Sequence, residues 1–168
     1  MNVRFEHADY PTDRIAKSVT RILESTQLCS MATNRDDTSY IHTAYFCFDD
    51  HMHMYFVSQL SSVHVQNIEK NPSTAASVFD TRQPWDEWKL GLQFFGESRA
   101  TNKDEFKHAS ELYKLRFPDY KKWLHSLGKA VASTVVPPFY VFVPTRVKIL
   151  DENEFGEETY VEATIHRT

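Results

Sequence analysis

The chain has 168 residues, with 19 Lys and Arg against 23 Asp and Glu, for a formal net charge of −4. A chain of this length buries a core without disulfides or structural metal. The acidic balance argues against a general nucleic-acid coat or a basic membrane-surface binder, because phosphate binding needs clustered positive charge.

A composition of 41% hydrophobic and 25% charged residues is globular rather than disordered. No apolar run reaches bilayer-spanning length, and the opening MNVRFEHADYPTDR lacks the apolar stretch of a signal peptide. A soluble cytoplasmic protein is expected, organised as one domain over 1–168 with its core at about 15–151 and an acidic tail from 152.

Residues 12–26 read as a helix, with Ile15, Val19, Ile22 and Leu23 at helical spacing and Thr12 or Asp13 to cap it. LCSMATN (28–34), YIHTAYFCF (40–48) and HMHMYFVS (51–58) then read as three strands of an antiparallel meander. SSVHVQNIEKNP (61–72) is a short helix capped by Ser61 or Ser62 and closed by Asn71-Pro72. STAASVFD (73–80) and LGLQFFGESRAT (90–101) are strands joined by a loop carrying Trp85 and Trp88. Asn102 with Glu105 forms a capping-box pattern, Phe106, Ala109, Leu112 and Tyr113 then give a helical stripe, and RFPDYKKWLHSL reads as a turn followed by a short helix. FYVFVPTRVKILD (139–151) is the last strong strand, with Pro144 marking a bulge or an edge, and TYVEATI in the tail suits one more short strand. The pattern predicts a mainly β, α+β fold: a six-stranded antiparallel split β-barrel, with helices 12–26 and 103–127 over its open side.

Four glycines in no GxGxxG or Walker arrangement exclude the usual dinucleotide and P-loop sites. Cys29 and Cys47 lie in apolar strand-like runs and read as small buried hydrophobes. His51 and His53 fall on one face of a predicted strand without a third metal ligand at recognisable spacing, so no metal site is expected. Arg116, Lys121 and Lys122 read as a solvated helix face, and His108 and His125 as surface residues. The segment 54–72 carries the sharpest chemistry. A strand ends at Ser58, and Ser62 and His64 sit at a helix start, where free N–H groups and the helix dipole favour an anion.

The order strand, turn, strand, Ser58, Ser62, His64, Asn67-Ile68, Asn71-Pro72 resembles the FMN-binding split-barrel superfamily, the pyridoxamine 5′-phosphate oxidase-like proteins. HTAYFCFDD resembles its second barrel strand, LGLQFFGESRAT its later strand with a cofactor-facing Gln, and FYVFVPTRVKILD its closing strand. The runs GLQFFGESRAT, YKLRFPDY and FYVFVPTRVKILDEN resemble an uncharacterised bacterial branch that also carries His after the third strand.

The resemblance implies FMN at a homodimer interface. Ser58, Ser62 and His64 would hold the phosphate. Thr43, Ala44, Tyr45 and Val57 would border the ring, and Gln93 would meet its polar edge. Trp85, Trp88 and Phe139 would come from the partner copy. It further implies a flavin-dependent oxidoreductase of a small-molecule substrate or electron donor, with no catalytic acid or base assigned. His64 stands where the family usually has Lys or Arg, and the C-terminal segment lacks the arginine- and tryptophan-containing signature for pyridoxal. Formation of pyridoxal phosphate is therefore not expected. The alternatives are a split barrel that no longer uses flavin, and a relative that takes haem or a deazaflavin.

Overall fold

The computed structural model describes residues 1–123, 125–126 and 137–167. Its strands are β1 (Val3–Glu6), β2 (Leu28–Arg35), β3 (Thr38–Phe48), β4 (Met54–Val57), β5 (Ser73–Val78), β6 (Leu90–Ala100), β7 (Phe139–Asp151) and β8 (Tyr160–Arg167). The helices are α1 (Thr12–Ser25), α2 (Val63–Lys70), α3 (Lys103–Arg116) and the short α4 (Glu152–Phe155), and 118–123 is also helical. Residues 124 and 127, in the region predicted as helix up to 127, lie outside the described residues.

Six strands close on themselves in the order β7-β4-β3-β2-β5-β6, with β6 pairing back onto β7. Every pairing in that ring is antiparallel. This is the predicted six-stranded split barrel. It splits at β7, where Phe139–Phe142 pair with β4 but Arg146–Leu150 pair with β8. Pro144 stands at the changeover, where it has no N–H to offer a ladder. Across the seam, the β6 register shifts between Phe95 and Gly96, which face Arg146 and Pro144 and leave Thr145 as the extra residue. The predicted tail strand is β8. β1 was not anticipated, and it pairs on the outer edge of β8.

Period-2 alternation sorts the side chains into two cores. Met54, Phe56, Tyr140, Phe142, Cys29, Met31 and Phe46 point into the main core, where the α1 stripe Ile15, Val19, Ile22 and Leu23 joins them. The intervening Cys47, Tyr55, Phe139 and Val141 point the other way and pack against Ala109 and Tyr113 of α3. Thus α1 packs into the barrel core, whereas α3 lies on the outer side of β3, β4 and β7 rather than over an open end. Both cysteines are buried, and burial pushes each thiol up to about 12, so neither is a nucleophile near neutral pH.

Three local expectations change. The α1 N-cap is Pro11, and Thr12 instead donates to the Phe5 carbonyl at 2.8 Å. Residues 51–53 form a turn, not a strand, because one Asp49 carboxylate oxygen accepts the N–H groups of both His51 and His53 at 2.9 Å. Arg116 is no solvated residue: it bonds the Leu23 and Thr26 carbonyls and lies 5.0 Å from the Phe46 ring.

Candidate functional site

β4 ends at Val57, and a tight loop carries the chain from Ser58 into α2. Ser62 is the N-cap residue of α2, yet its side chain makes no capping bond. It turns back instead, donating to the Gln59 carbonyl at 2.7 Å and lying 3.0 Å from Ser58 Oγ. His64, in the first turn of α2, brings Nε2 to 2.6 Å from Ser58 Oγ and 3.2 Å from Ser62 Oγ. Proton counting then orders this network. The Ser62 hydroxyl proton goes to Gln59, so Ser62 Oγ accepts from Ser58, and Ser58 Oγ accepts from a hydrogen on His64 Nε2. Three side chains that can donate, and a helix N-terminus with no side-chain cap, converge on one point. That donor set suits an anion.

Residues outside the predicted set complete the surroundings. His42 on β3 stacks face to face on His64, with ring centroids 3.6 Å apart and planes 8° apart. Both His42 ring nitrogens are buried and have no partner. Burial, and secondarily His64, pull its pKa down to about 4, and burial also lowers that of His64. Tyr40 stacks beyond His64 at 6.4 Å, and Phe56 lies 5.8 Å below His42. No feature of the local sequence marked the His42–His64 pair; the α2 packing creates it.

The other predicted residues lie on a second surface. Thr43 pairs with Ser30, Ser30 with Ser77, and Ser77 with Gln93, so one row crosses β3, β2, β5 and β6 on the outward face. At about 4.8 Å per strand this row is roughly 14 Å long. The next row, Ile41-Ala32-Ala75-Phe95, is small at its two central residues, Ala32 and Ala75. Tyr45 also points outward and is 53% exposed. Ala44 faces the main core and Val57 packs with the α3 core, so neither side chain joins that outward face. Gln93 is thus separated from Ser58, Ser62 and His64, and shares a face with Thr43. It also lines an open cavity of about 1260 Å³ with Phe79, Trp85, Trp88 and Lys148. Trp85 and Trp88 are exposed, but Phe139 is fully buried against its own α3, which removes it as a contribution to a partner copy. Among the described residues no group of three or more His, Cys, Asp or Glu is placed to hold a metal, and no helix is long and apolar enough to cross a membrane.

The family model described as pyridoxamine 5′-phosphate oxidase matches residues 15–149. The chain belongs to this family. No curated protein matches the sequence. Among solved structures, the chain resembles a heme binding protein from Mycobacterium smegmatis at TM-score 0.71 and 12% identity, covering 94% of this chain and 60% of that one. It resembles HutZ, a heme storage protein from Vibrio cholerae, at TM-score 0.62 and 11% identity, covering 87% and 93%. A NimC/NimA family protein from Clostridium acetobutylicum follows at TM-score 0.60 and 15% identity, covering 89% and 91%. At such identities the likeness is one of fold. The Ser58-Ser62-His64 cluster lies within the matched span.

Proposed function

We propose that this family member binds FMN and works as a flavin-dependent oxidoreductase on a small molecule, as a homodimer with the cofactor between two barrels. The observation that carries this reading is the convergence of Ser58, Ser62 and His64 at the N-terminus of α2. These residues fit a phosphate: their hydroxyl and imidazole hydrogens, spent here on one another and on the Gln59 carbonyl, can turn to an incoming anion, and the helix end adds a favourable partial charge. The smooth outward row Thr43-Ser30-Ser77-Gln93 suits a flat ring, with Gln93 as its polar partner. Bound flavin would supply the electron chemistry, so the chain's own work is to hold and orient it. The substrate would lie in the cavity beside Gln93, between Trp85 and Trp88.

The test is the visible spectrum of the purified protein, before and after incubation with FMN and desalting. Retained flavin bands are expected. Ser62→Asp, which sets a carboxylate against the phosphate, should weaken FMN at least tenfold and leave riboflavin nearly unchanged. Equal loss of both, or of neither, removes the phosphate assignment. A Soret band would establish the second reading, haem, which the two haem-associated structural neighbours favour. A colourless protein whose melting temperature ignores FMN would identify a barrel without flavin.

A further inference from the structure

The anion cluster contains no fixed cation. His64 takes the position where a charged side chain would serve, and it is stacked on a second imidazole at 3.6 Å. Two imidazolium rings at that distance repel by about 4 to 5 kcal/mol at an effective dielectric of 20, so the pair carries at most one positive charge near neutral pH. The groups facing the pair are few. From β3 there is Tyr40, from β4 Phe56, from the loop between β4 and α2 the Ser58 and Ser62 hydroxyls, and on β2 Met31 stands in register with His42. Arg35 lines a small cavity with Tyr40 and Val63 and pairs with Asp36 at 3.4 Å. Among the described residues, neither His42 nor His64 interacts with a carboxylate, lysine or arginine.

An incoming dianion changes this balance. His64 Nε2 already carries the hydrogen that faces Ser58, so a second proton enters at Nδ1 and leaves the donor in place. His42, buried with both nitrogens unpartnered, stays neutral and offers its π face to the cation formed above it. We propose that a phosphate ester binding here takes up one proton from solvent, held by His64 against the neutral His42 ring, so that the site is charged only when it is filled. This inference rests on the FMN reading of the pocket.

Calorimetry on the full chain tests it, with FMN titrated at pH 7.0 to 8.5 in buffers of different ionisation enthalpy. The phosphate of FMN is already a dianion there, because its second pKa is about 6. The expected result is uptake of about one proton per FMN, with affinity falling by up to about tenfold per pH unit. Riboflavin, which has no phosphate, should take up none. His64→Lys supplies a fixed charge, so its proton uptake should vanish and FMN affinity should become flat with pH. His42→Phe keeps the face contact with a ring that cannot be protonated, so the proton uptake should persist; its loss would place the proton on His42 and overturn the assignment to His64. FMN binding by the unaltered protein with no proton uptake overturns this inference and leaves the FMN reading standing. The same uptake with riboflavin also overturns it. No binding of FMN at any pH overturns both.

Discussion

Arg116, the last residue of α3, donates to the Leu23 carbonyl at 2.7 Å and to the Thr26 carbonyl at 2.5 Å. Those carbonyls stand at the C-terminal end of α1, where the last C=O groups have no partner within the helix. The last turn of α1 carries no basic residue of its own, so α3 supplies the cation that the helix dipole favours there. This side chain joins the two helices, which serve different cores. Arg116→Met keeps the apolar stem over Phe46 and removes the donors. It should cost about 2 to 3 kcal/mol, the range for charge-assisted bonds to buried carbonyls, measured by urea denaturation. Arg116→Lys should recover part of that. A Met variant as stable as the parent would show that the α1 end is satisfied by other means.

The seam between β6 and β7 depends on Gly96. A Cβ built there would lie 2.2 Å from the Val143 carbonyl oxygen and 2.6 Å from Pro144 Cα. Both obstacles are backbone, and Pro144 cannot rotate away. Gly96→Ala should therefore separate the strands at the bulge and cost about 3 kcal/mol or more, at the upper end for overpacking. Hydrogen exchange should show amides of 94–98 and 142–146 losing protection first. An unchanged melting temperature would mean that the strands slide past the bulge without cost.

The ring of strands was legible because each strand carries its own alternation, and the α3 capping box was legible because Asn102 and Glu105 lie three residues apart and both arms form. β1 was not, since VRFE is too short to show a period and is held by the edge that β8 offers. The strand predicted for 51–53 failed because the carboxylate of Asp49 outcompetes a ladder for two N–H groups. The same distinction governs the site. Ser58, Ser62 and His64 fall within seven consecutive residues, so local spacing marks them. The His42 contact depends on how α2 lies against β3, and the row from Thr43 to Gln93 depends on three strand registers, which no single segment encodes.

Asp49 makes the stability of the β3–β4 turn depend on acid pH. Burial alone would raise its pKa, but the His53 ring, the His53 N–H and the Tyr55 hydroxyl outweigh that and hold it down at about 2. Its folded pKa lies below the unfolded value of about 3.9, so the stabilisation is complete above that value and is lost as pH falls through the folded one. The contribution is about 2 kcal/mol, absent near pH 2 and full above about pH 5. Denaturant unfolding of the parent and of Asp49→Asn, compared from pH 2.5 to 6, should give two curves that converge at the acid end. Parallel curves would assign the acid sensitivity to other carboxylates.

The outward face of β2 and β3 makes a prediction about assembly. Leu28 and Tyr45 stand opposite each other, Ile41 is 69% exposed one row beyond Thr43, and small side chains lie between them. Exposed apolar groups clustered around a smooth centre suit a self-complementary contact. If this face forms the proposed homodimer with flavin beside it, Ile41→Glu places two carboxylates near the two-fold axis, because a symmetric interface doubles every substitution. Sedimentation should then report a monomer, with circular dichroism unchanged because Ile41 contributes to neither core. FMN should weaken together with the dimer, since Thr43 and Gln93 would keep only half of a shared site. A variant that stays dimeric would move the interface to another face of the barrel. A monomer that binds FMN as tightly as the parent would place the whole cofactor site within one chain, and Trp85 and Trp88 would then act on their own cavity rather than on a partner's.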